Sequence, residues 1–229
     1  MNRDAAAAVL AGTDLFGTLG EAARAAVADR MTAGRFPRGA FVFLQGDPGD
    51  RVFAIVDGLV KVTVTSEQGD EMLLVTLGPP ATFGELALVD GQPRSANVEV
   101  MEEATLLSLT RGEFFDLARQ HPALFENLLR TLSGVLRRLT DQAADFVFLD
   151  LLGRVAKLLV RLAADHGDPA GDAVVELPLT QSDIARMVGA SRQSVNQALR
   201  TLEKVGCIEI RGRELMVKDP AYLRRRAGL

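Results

Sequence analysis

The sequence predicts an α+β chain: a β jelly roll, then one long helix, then a small helical module closed by a hairpin. Three observations predict it. Short runs rich in Val, Leu and Phe follow one another at turn-sized intervals from Arg35 to Thr110. Apolar residues then recur every three or four positions from Pro122 to about Val147. The remainder carries two short helical patterns joined by a tight turn and followed by a hairpin pattern.

With 229 residues, 48% of them hydrophobic and 24% charged, the chain has room for one large or two ordinary domains and for a sizeable core. No stretch reaches about 18 uninterrupted apolar residues, and MNRDAAAAVLAG lacks the apolar core of a secretory signal. A cytoplasmic protein with no membrane partner is expected. A single cysteine, Cys207, excludes an internal disulfide framework and an iron–sulfur cluster of four thiolates. The two histidines, His121 and His166, stand outside any HExxH or CxxC spacing, so neither a metal centre nor a cofactor is expected.

The formal charge of −4 hides a split. From Thr180 onward ten Lys/Arg face five Asp/Glu, whereas residues 1–179 are acidic. A basic module on an acidic body suits a polyanion partner at one end, although an uneven surface gives the same count.

Residues 14–34 place Leu15, Leu19, Ala22, Ala26 and Val27 at helical spacing and predict one or two short helices. The runs AFVFLQ, RVFAIV, LVKVTVT, EMLLVTLG, ANVEV and ATLLSLT follow, parted by the turn signals GDPGD, DG, SEQGD, GPP and DGQP. This is the pattern of a compact antiparallel barrel or jelly roll. Glu113 to Ala118 reads as a short helix. After Pro122, taking Phe125 as position a gives a seam of Phe125, Leu128, Leu132, Val135, Leu139, Gln142 and Phe146. Such a seam suits a homodimer, and a helix that only packs on its own chain remains the alternative. Asp150 can cap a helix over 151–165, whose apolar face includes Leu152, Val155, Ala156, Leu159 and Leu162. After the HGDPAGD loop and the strand-like AVVELP come LTQSDIARMVG and ASRQSVNQALRTLEKVG, then IEIRGRELMVKD with Gly212 at its tip. Helix, turn, helix and hairpin make a winged helix-turn-helix. The expected divisions are residues 1–121, 122–149 and 150–229.

The most informative stretch is FGELALVDGQPRSANV, residues 83–98. Gly84 permits close backbone approach, and the residues after it can start a helical turn with free N–H groups. Arg94 can offer a planar fork to a phosphate, and Glu85 an acceptor pair to a ribose hydroxyl. As a pattern alone, a Glu and an Arg in a barrel also suit an internal salt bridge.

This run resembles, nearly residue for residue, the phosphate-binding cassette of cyclic-nucleotide-binding domains. Together with the long helix and the helix-turn-helix, residues 14 to 220 resemble the CRP/FNR superfamily of transcription regulators. The resemblance implies a cyclic-nucleotide effector, with cyclic AMP ahead of cyclic GMP, and no enzymatic activity. It implies that Arg94 holds the exocyclic phosphate oxygens and Glu85 the ribose 2′-hydroxyl. Ser95, with the Leu86 and Ala87 amides beside Gly84, would take the remaining phosphate and base edges. Val62 and Leu74 fall where the family lines its pocket, and plain barrel core is the other reading of both. Leu139 and Thr140 fall where cyclic-AMP-binding members carry two hydroxyl residues that touch adenine across the dimer, and only Thr140 keeps a hydroxyl. Val135 stands where those members have an arginine supporting the cassette glutamate, with Arg138 one turn on as a substitute.

In the second helix of the turn motif, Ser191, Arg192, Gln193, Asn196 and Gln197 lie near the end that enters a major groove. Arg pairs bidentately with guanine and Gln with adenine. Thr180 is expected as a cap and phosphate contact, and Arg211 and Arg213 as wing contacts to double-stranded DNA. Where the family typically has Arg-Glu and a further Arg, this chain has Arg192, Gln193 and Gln197, so a two-fold site with altered central bases is expected. RNA polymerase is expected as a further partner, with the loop at 165–172 as its contact by family analogy. An effector-free regulator of the same fold and a nucleotide-hydrolysing enzyme are the competing readings. The enzyme would need a metal or a general base, and the cassette offers only Glu85.

Overall fold

The computed structural model describes residues 3–166, 174–176, 180–211 and 214–229. The HGDPAGD loop from residue 167 on, Gly212 and Arg213 lie outside the described residues. Two compact units divide between Arg137 and Arg138, inside the long helix.

The first unit opens with α1 (Arg3–Ala11), a turn-rich stretch, and α2 (Glu21–Arg30). Helix α1 was not expected, and Leu15 and Leu19, expected in a helix, lie in the turns between the two. There they are buried all the same, Leu15 completely. The strands are β1 (Thr32–Phe36), β2 (Phe41–Phe43), β3 (Arg51–Thr65), β4 (Glu71–Leu77) and β5 (Thr82–Phe83). A short helix, α3 (Glu85–Asp90), precedes β6 (Asn97–Thr110). All pairings are antiparallel, in the order β1-β6-β3-β4, with β2 joining β6 and β5 joining β3.

Two expected strand pairs are single strands. RVFAIV and LVKVTVT fuse into β3, and ANVEV and ATLLSLT fuse into β6. The DG signal is a bulged bend inside β3, where the register against β6 shifts on both sides of Asp57. Gly58 has φ +90°, and a Cβ there would sit 2.3 Å from the Glu103 carbonyl oxygen, so only glycine lets the strands pass.

The central strands are buried on both faces. Val52, Ala54, Leu107 and Leu109 face a cluster with Leu10, Phe16, Phe114, Leu117, Leu124 and Leu128. Phe53, Ile55, Leu106 and Val100 point the other way, into the roll, with Phe83. The two-residue period of a strand explains why these runs are continuously apolar.

Helix α4 (Arg111–Gln120) starts on a capping box in which Thr110 and Glu113 bond each other reciprocally. It leads to α5 (Ala123–Phe148), 26 residues long. The expected seam divides here. Leu128 is 5% exposed and belongs to the core of its own chain, which corrects its assignment to a partner-facing row. Leu132 packs half-buried against the same core, and Val135 and Gln142 are half-buried. Phe125, Leu139 and Phe146 of the seam are exposed, and so are Leu129 and Leu136 outside it. A single-residue shift of phase, from Leu128 to Leu129, separates the core face from the solvent face, because a helix turns about 100° per residue.

The second unit continues with α6 (Leu151–His166), β7 (Val174–Glu176), α7 (Gln181–Val188), α8 (Arg192–Lys204), β8 (Ile208–Arg211), β9 (Glu214–Val217) and α9 (Pro220–Arg226). The Gly153 amide bonds Asp150 Oδ1 at 2.8 Å, so Asp150 caps α6 as expected. Val155, Ala156, Leu159 and Leu162 of α6 are buried, and Leu152 is half-buried. The three strands pair in the order β7-β9-β8. Helix α9 was not expected, although Asp219 caps it and Pro220 opens it. Its Arg226 forms an ion pair with Asp150. Cys207 is buried, its Sγ donating to the Leu202 carbonyl at 3.0 Å, and burial pushes its thiol pKa up. Among the described residues no helix is long and apolar enough to cross a membrane, and no cluster of His, Cys, Asp or Glu could hold a metal ion.

Candidate effector and DNA sites

The cassette is built where β5 ends. Gly84 adopts φ +87° as N-cap of α3, and a Cβ there would lie 2.9 Å from Arg94 Nη1 and 3.1 Å from the Arg51 carbonyl. Among the described residues no side chain caps α3. Its first-turn amides, those of Leu86 and Ala87 among them, are therefore not met by a capping side chain. Glu85 and Ala87 are buried at this turn, and Leu86 is 42% exposed.

Arg94 is 5% exposed. Its Nη1 donates to the Gly84 carbonyl at 3.0 Å and its Nη2 to the Arg51 carbonyl at 2.9 Å. Its guanidinium carbon lies 4.1 Å from the centre of the Phe43 ring and 5.8 Å from that of Phe53. Such stacking leaves the guanidinium edge as the polar face. Nε is buried, with no hydrogen-bond partner among the described residues. A buried unmet donor on a cation is costly, and an anion satisfies it well. Burial pushes the Arg94 pKa down, while the carboxylates of Asp50, Asp47 and Glu85 push it up, and the guanidinium stays charged. The expected Glu85 and Arg94 are thus brought to one place, with Ser95 exposed next to Arg94.

The two apolar candidates differ. Val62 packs against the cluster that holds Phe53 and Phe83, the same aromatic group that underlies Arg94. Leu74 is half-buried on β4 opposite a register shift between Val62 and Thr63. On α5, Val135 is half-buried in the first unit, while Arg138, Leu139 and Thr140 are exposed and belong to the second.

In the second unit, Thr180 forms a capping box with Asp183 at the start of α7. Ser191 caps α8 by accepting from the Ser194 amide at 3.1 Å. Each cap contributes about 1 kcal/mol. Val195, Ala198, Leu199 and Leu202 bury one face of α8. The opposite face lines an open groove with Arg192, Gln193, Asn196, Gln197 and Arg200. Positions i, i+1, i+4, i+5 and i+8 make one continuous stripe on a helix. Arg211 binds Glu209 through Nε at 2.6 Å, and Lys218 reaches the same carboxylate at 3.4 Å. Those two cations hold the Glu209 carboxyl below its usual pKa. Arg211 is thus engaged within the wing, a partner the sequence did not reveal.

Several participants escaped the sequence reading. Phe43 was counted only as strand, and Gly49 only as a turn residue, yet a Cβ on Gly49 would lie 2.1 Å from the Ala87 Cβ and 3.4 Å from Arg94 Cδ. Arg200 stands outside the expected reading set, although its spacing from Arg192 and Asn196 places it on the polar stripe.

A domain that positions a buried arginine beside a glycine-capped turn, joined to a winged helix-turn-helix, defines a ligand-binding class of DNA-binding regulator. A family model described as the cyclic nucleotide-binding domain matches residues 34–121, and one described as the Crp-like helix-turn-helix domain matches residues 153–226. Over 220 residues the chain is 38% identical to a CRP-like cAMP-activated global transcriptional regulator of Mycobacterium tuberculosis, covering 96% of this chain and 98% of that one. A solved CRP-family transcriptional regulator of Thermus thermophilus superposes with a TM-score of 0.69 at 28% identity, covering 86% of this chain and 97% of that one. The c-di-GMP-responsive global regulator CLP of Xanthomonas campestris shares the fold, with a TM-score of 0.75 at 21% identity over 87% of this chain and 99% of that one. The chain belongs to the CRP/FNR family of transcription regulators, which are DNA-binding proteins and not enzymes.

Proposed function

We propose that the chain is a homodimeric transcription regulator whose hold on DNA is switched by a cyclic nucleotide, with cyclic AMP the effector and cyclic GMP the alternative. The observation that carries the effector reading is the buried, charged Arg94, whose Nε has no partner among the described residues, beside the glycine-capped turn that holds Glu85. Arg94 binds the cyclic phosphate, Glu85 accepts from the ribose 2′-hydroxyl, and Ser95 with the Leu86 and Ala87 amides completes the phosphate contacts. The M. tuberculosis relative, named as cAMP-activated, supports cyclic AMP over cyclic GMP.

Two copies pair through the exposed stripe of α5 that includes Leu129, Leu136 and Leu139, and this presents two α8 helices to successive turns of one DNA face. Arg192, Gln193, Asn196 and Gln197 read base edges, and Thr180, Ser191, Arg200 and Arg211 meet phosphates. The nucleotide shifts the population only by its differential affinity for the DNA-competent arrangement.

Calorimetric titration of the purified chain with cyclic AMP and with cyclic GMP tests the effector. Micromolar binding of cyclic AMP, weakened at least about a hundredfold in Arg94→Leu, is expected, because a charged fork contributes two strong hydrogen bonds. No heat with either nucleotide would leave an effector-free regulator. Tighter binding of cyclic GMP would reverse the assignment of the base.

A further inference from the structure

Arg94 is held from its backbone as well as its side chain. Its amide donates to the Asp47 carbonyl at 2.8 Å, and its carbonyl accepts from the Gly46 amide at 2.8 Å. The segment that provides this two-way bridge also supplies Phe43 beneath the guanidinium and Gly49 against Arg94 Cδ. Yet Leu44, Gln45, Gly46 and Pro48 are exposed, so little apolar burial fixes the segment.

Polar staples fix it instead. The Leu44 amide donates to Asp47 Oδ2 at 2.8 Å. The Gln45 amide donates to Asn97 Oδ1 at 2.8 Å, and Gln45 Oε1 accepts from the Thr65 amide at 2.9 Å. Asn97 is 9% exposed, and its Nδ2 donates to Thr65 Oγ1 at 3.1 Å and Thr63 Oγ1 at 3.5 Å. Both polar atoms of the amide are therefore committed, one to the segment and the other to the end of β3. Sheet pairing of residue 97 with Thr63 runs through the backbone and makes no demand on the side chain. An apolar residue would fill this buried position at less cost in desolvation.

We infer that Asn97 is a positioning residue for the effector site: by fixing Gln45 it holds the Phe43–Gly49 segment that clamps Arg94, and so presets the fork that takes the phosphate. The inference rests on the reading of the cassette as a cyclic-nucleotide site. It deepens that reading by adding residues that touch no ligand.

The test is a calorimetric double-mutant cycle on the full chain, with cyclic AMP as titrant and thermal unfolding of each variant alongside. Asn97→Ala is expected to weaken binding about tenfold, through loss of the part-buried bond to the Gln45 amide, and Gln45→Ala about threefold, through loss of its exposed bond to the Thr65 amide. In an Arg94→Lys background, where no planar fork remains to be aimed, neither substitution is expected to weaken binding further. Equal fold-losses in both backgrounds would mean a general loosening and overturn the proposal, as would Asn97→Ala binding within about twofold of the parent. If Asn97→Ala fails to unfold cooperatively, Asn97→Leu, which fills the buried position without either hydrogen bond, decides by the same criteria. A parent chain that binds no cyclic AMP overturns the reading of the pocket itself, and that outcome is distinct from a parent that binds and a variant that binds equally.

Discussion

The ring of Phe146 rests against Gly189: a Cβ on Gly189 would lie 2.8 Å from Phe146 Cε1 and 3.1 Å from Cζ. Gly189 ends α7 at φ +62°, in the turn before α8. Phe146 also carries Arg154 over its ring at 5.1 Å, and Arg154 Nε donates to the Val188 carbonyl at 3.1 Å. The end of the long helix is thereby tied to the turn that orients the reading helix.

Gly189→Ala is expected to destabilise the second unit by about 2 kcal/mol, since a non-glycine residue in the left-handed region costs about 1–2 kcal/mol before the contact with Phe146 is counted. Adding Phe146→Ala should recover the part due to the contact. Urea denaturation of both single variants and the double variant measures it. Strict additivity would contradict the contact.

Leu128 and Leu136 lie on one helix with opposite surroundings, the first 5% and the second 65% exposed. Leu128→Ala is expected to cost about 2–5 kcal/mol of stability, as for a buried leucine. Leu136→Asp is expected to leave the fold intact and convert the proposed dimer to a monomer in sedimentation velocity. A Leu136→Asp chain that stays dimeric would place the seam elsewhere.

Acid should weaken the start of α4. Hydrogen bonds from Thr110 hold the Glu113 carboxyl below its ordinary pKa near 4.5. A depressed folded-state pKa contributes stability that is fully present above the ordinary value and is lost as pH falls through the lower one. Melting temperatures taken from about pH 6 to about pH 3 should fall less steeply in Glu113→Gln than in the parent. Parallel curves would contradict the linkage.

The stripe on α8 makes two kinds of contact separable. Arg192→Ala should cost about 1–3 kcal/mol at the preferred site and relax the preference for guanine at one position. Arg200→Ala should weaken binding to all sequences alike and lower the salt slope by about one. Anisotropy titrations across salt concentrations distinguish them.

Much of this was legible because local pattern and tertiary role coincide. The alternation within RVFAIV sends Phe53 and Ile55 into the roll and Val52 and Ala54 against the helices. Thr180 caps α7 as its side chain announced, whereas Ser191, expected only at the DNA face, also caps α8. Helix α1 was missed because its Ala-rich run shows little periodicity, and only Ala6 and Leu10 are buried. Asp57–Gly58 imitates a turn, and only the partner strand reveals a bulge. The clamp on Arg94 joins Gly46, Asn97 and Thr65, which are distant in sequence, and no local signal carries such contacts.

On this mechanism, nucleotide controls DNA binding. Selection from a random duplex library, run with and without cyclic AMP, tests it most directly. Enrichment of a two-fold site with half-sites about 34 Å apart is expected only when cyclic AMP is present. Equal enrichment of that site without nucleotide would contradict it.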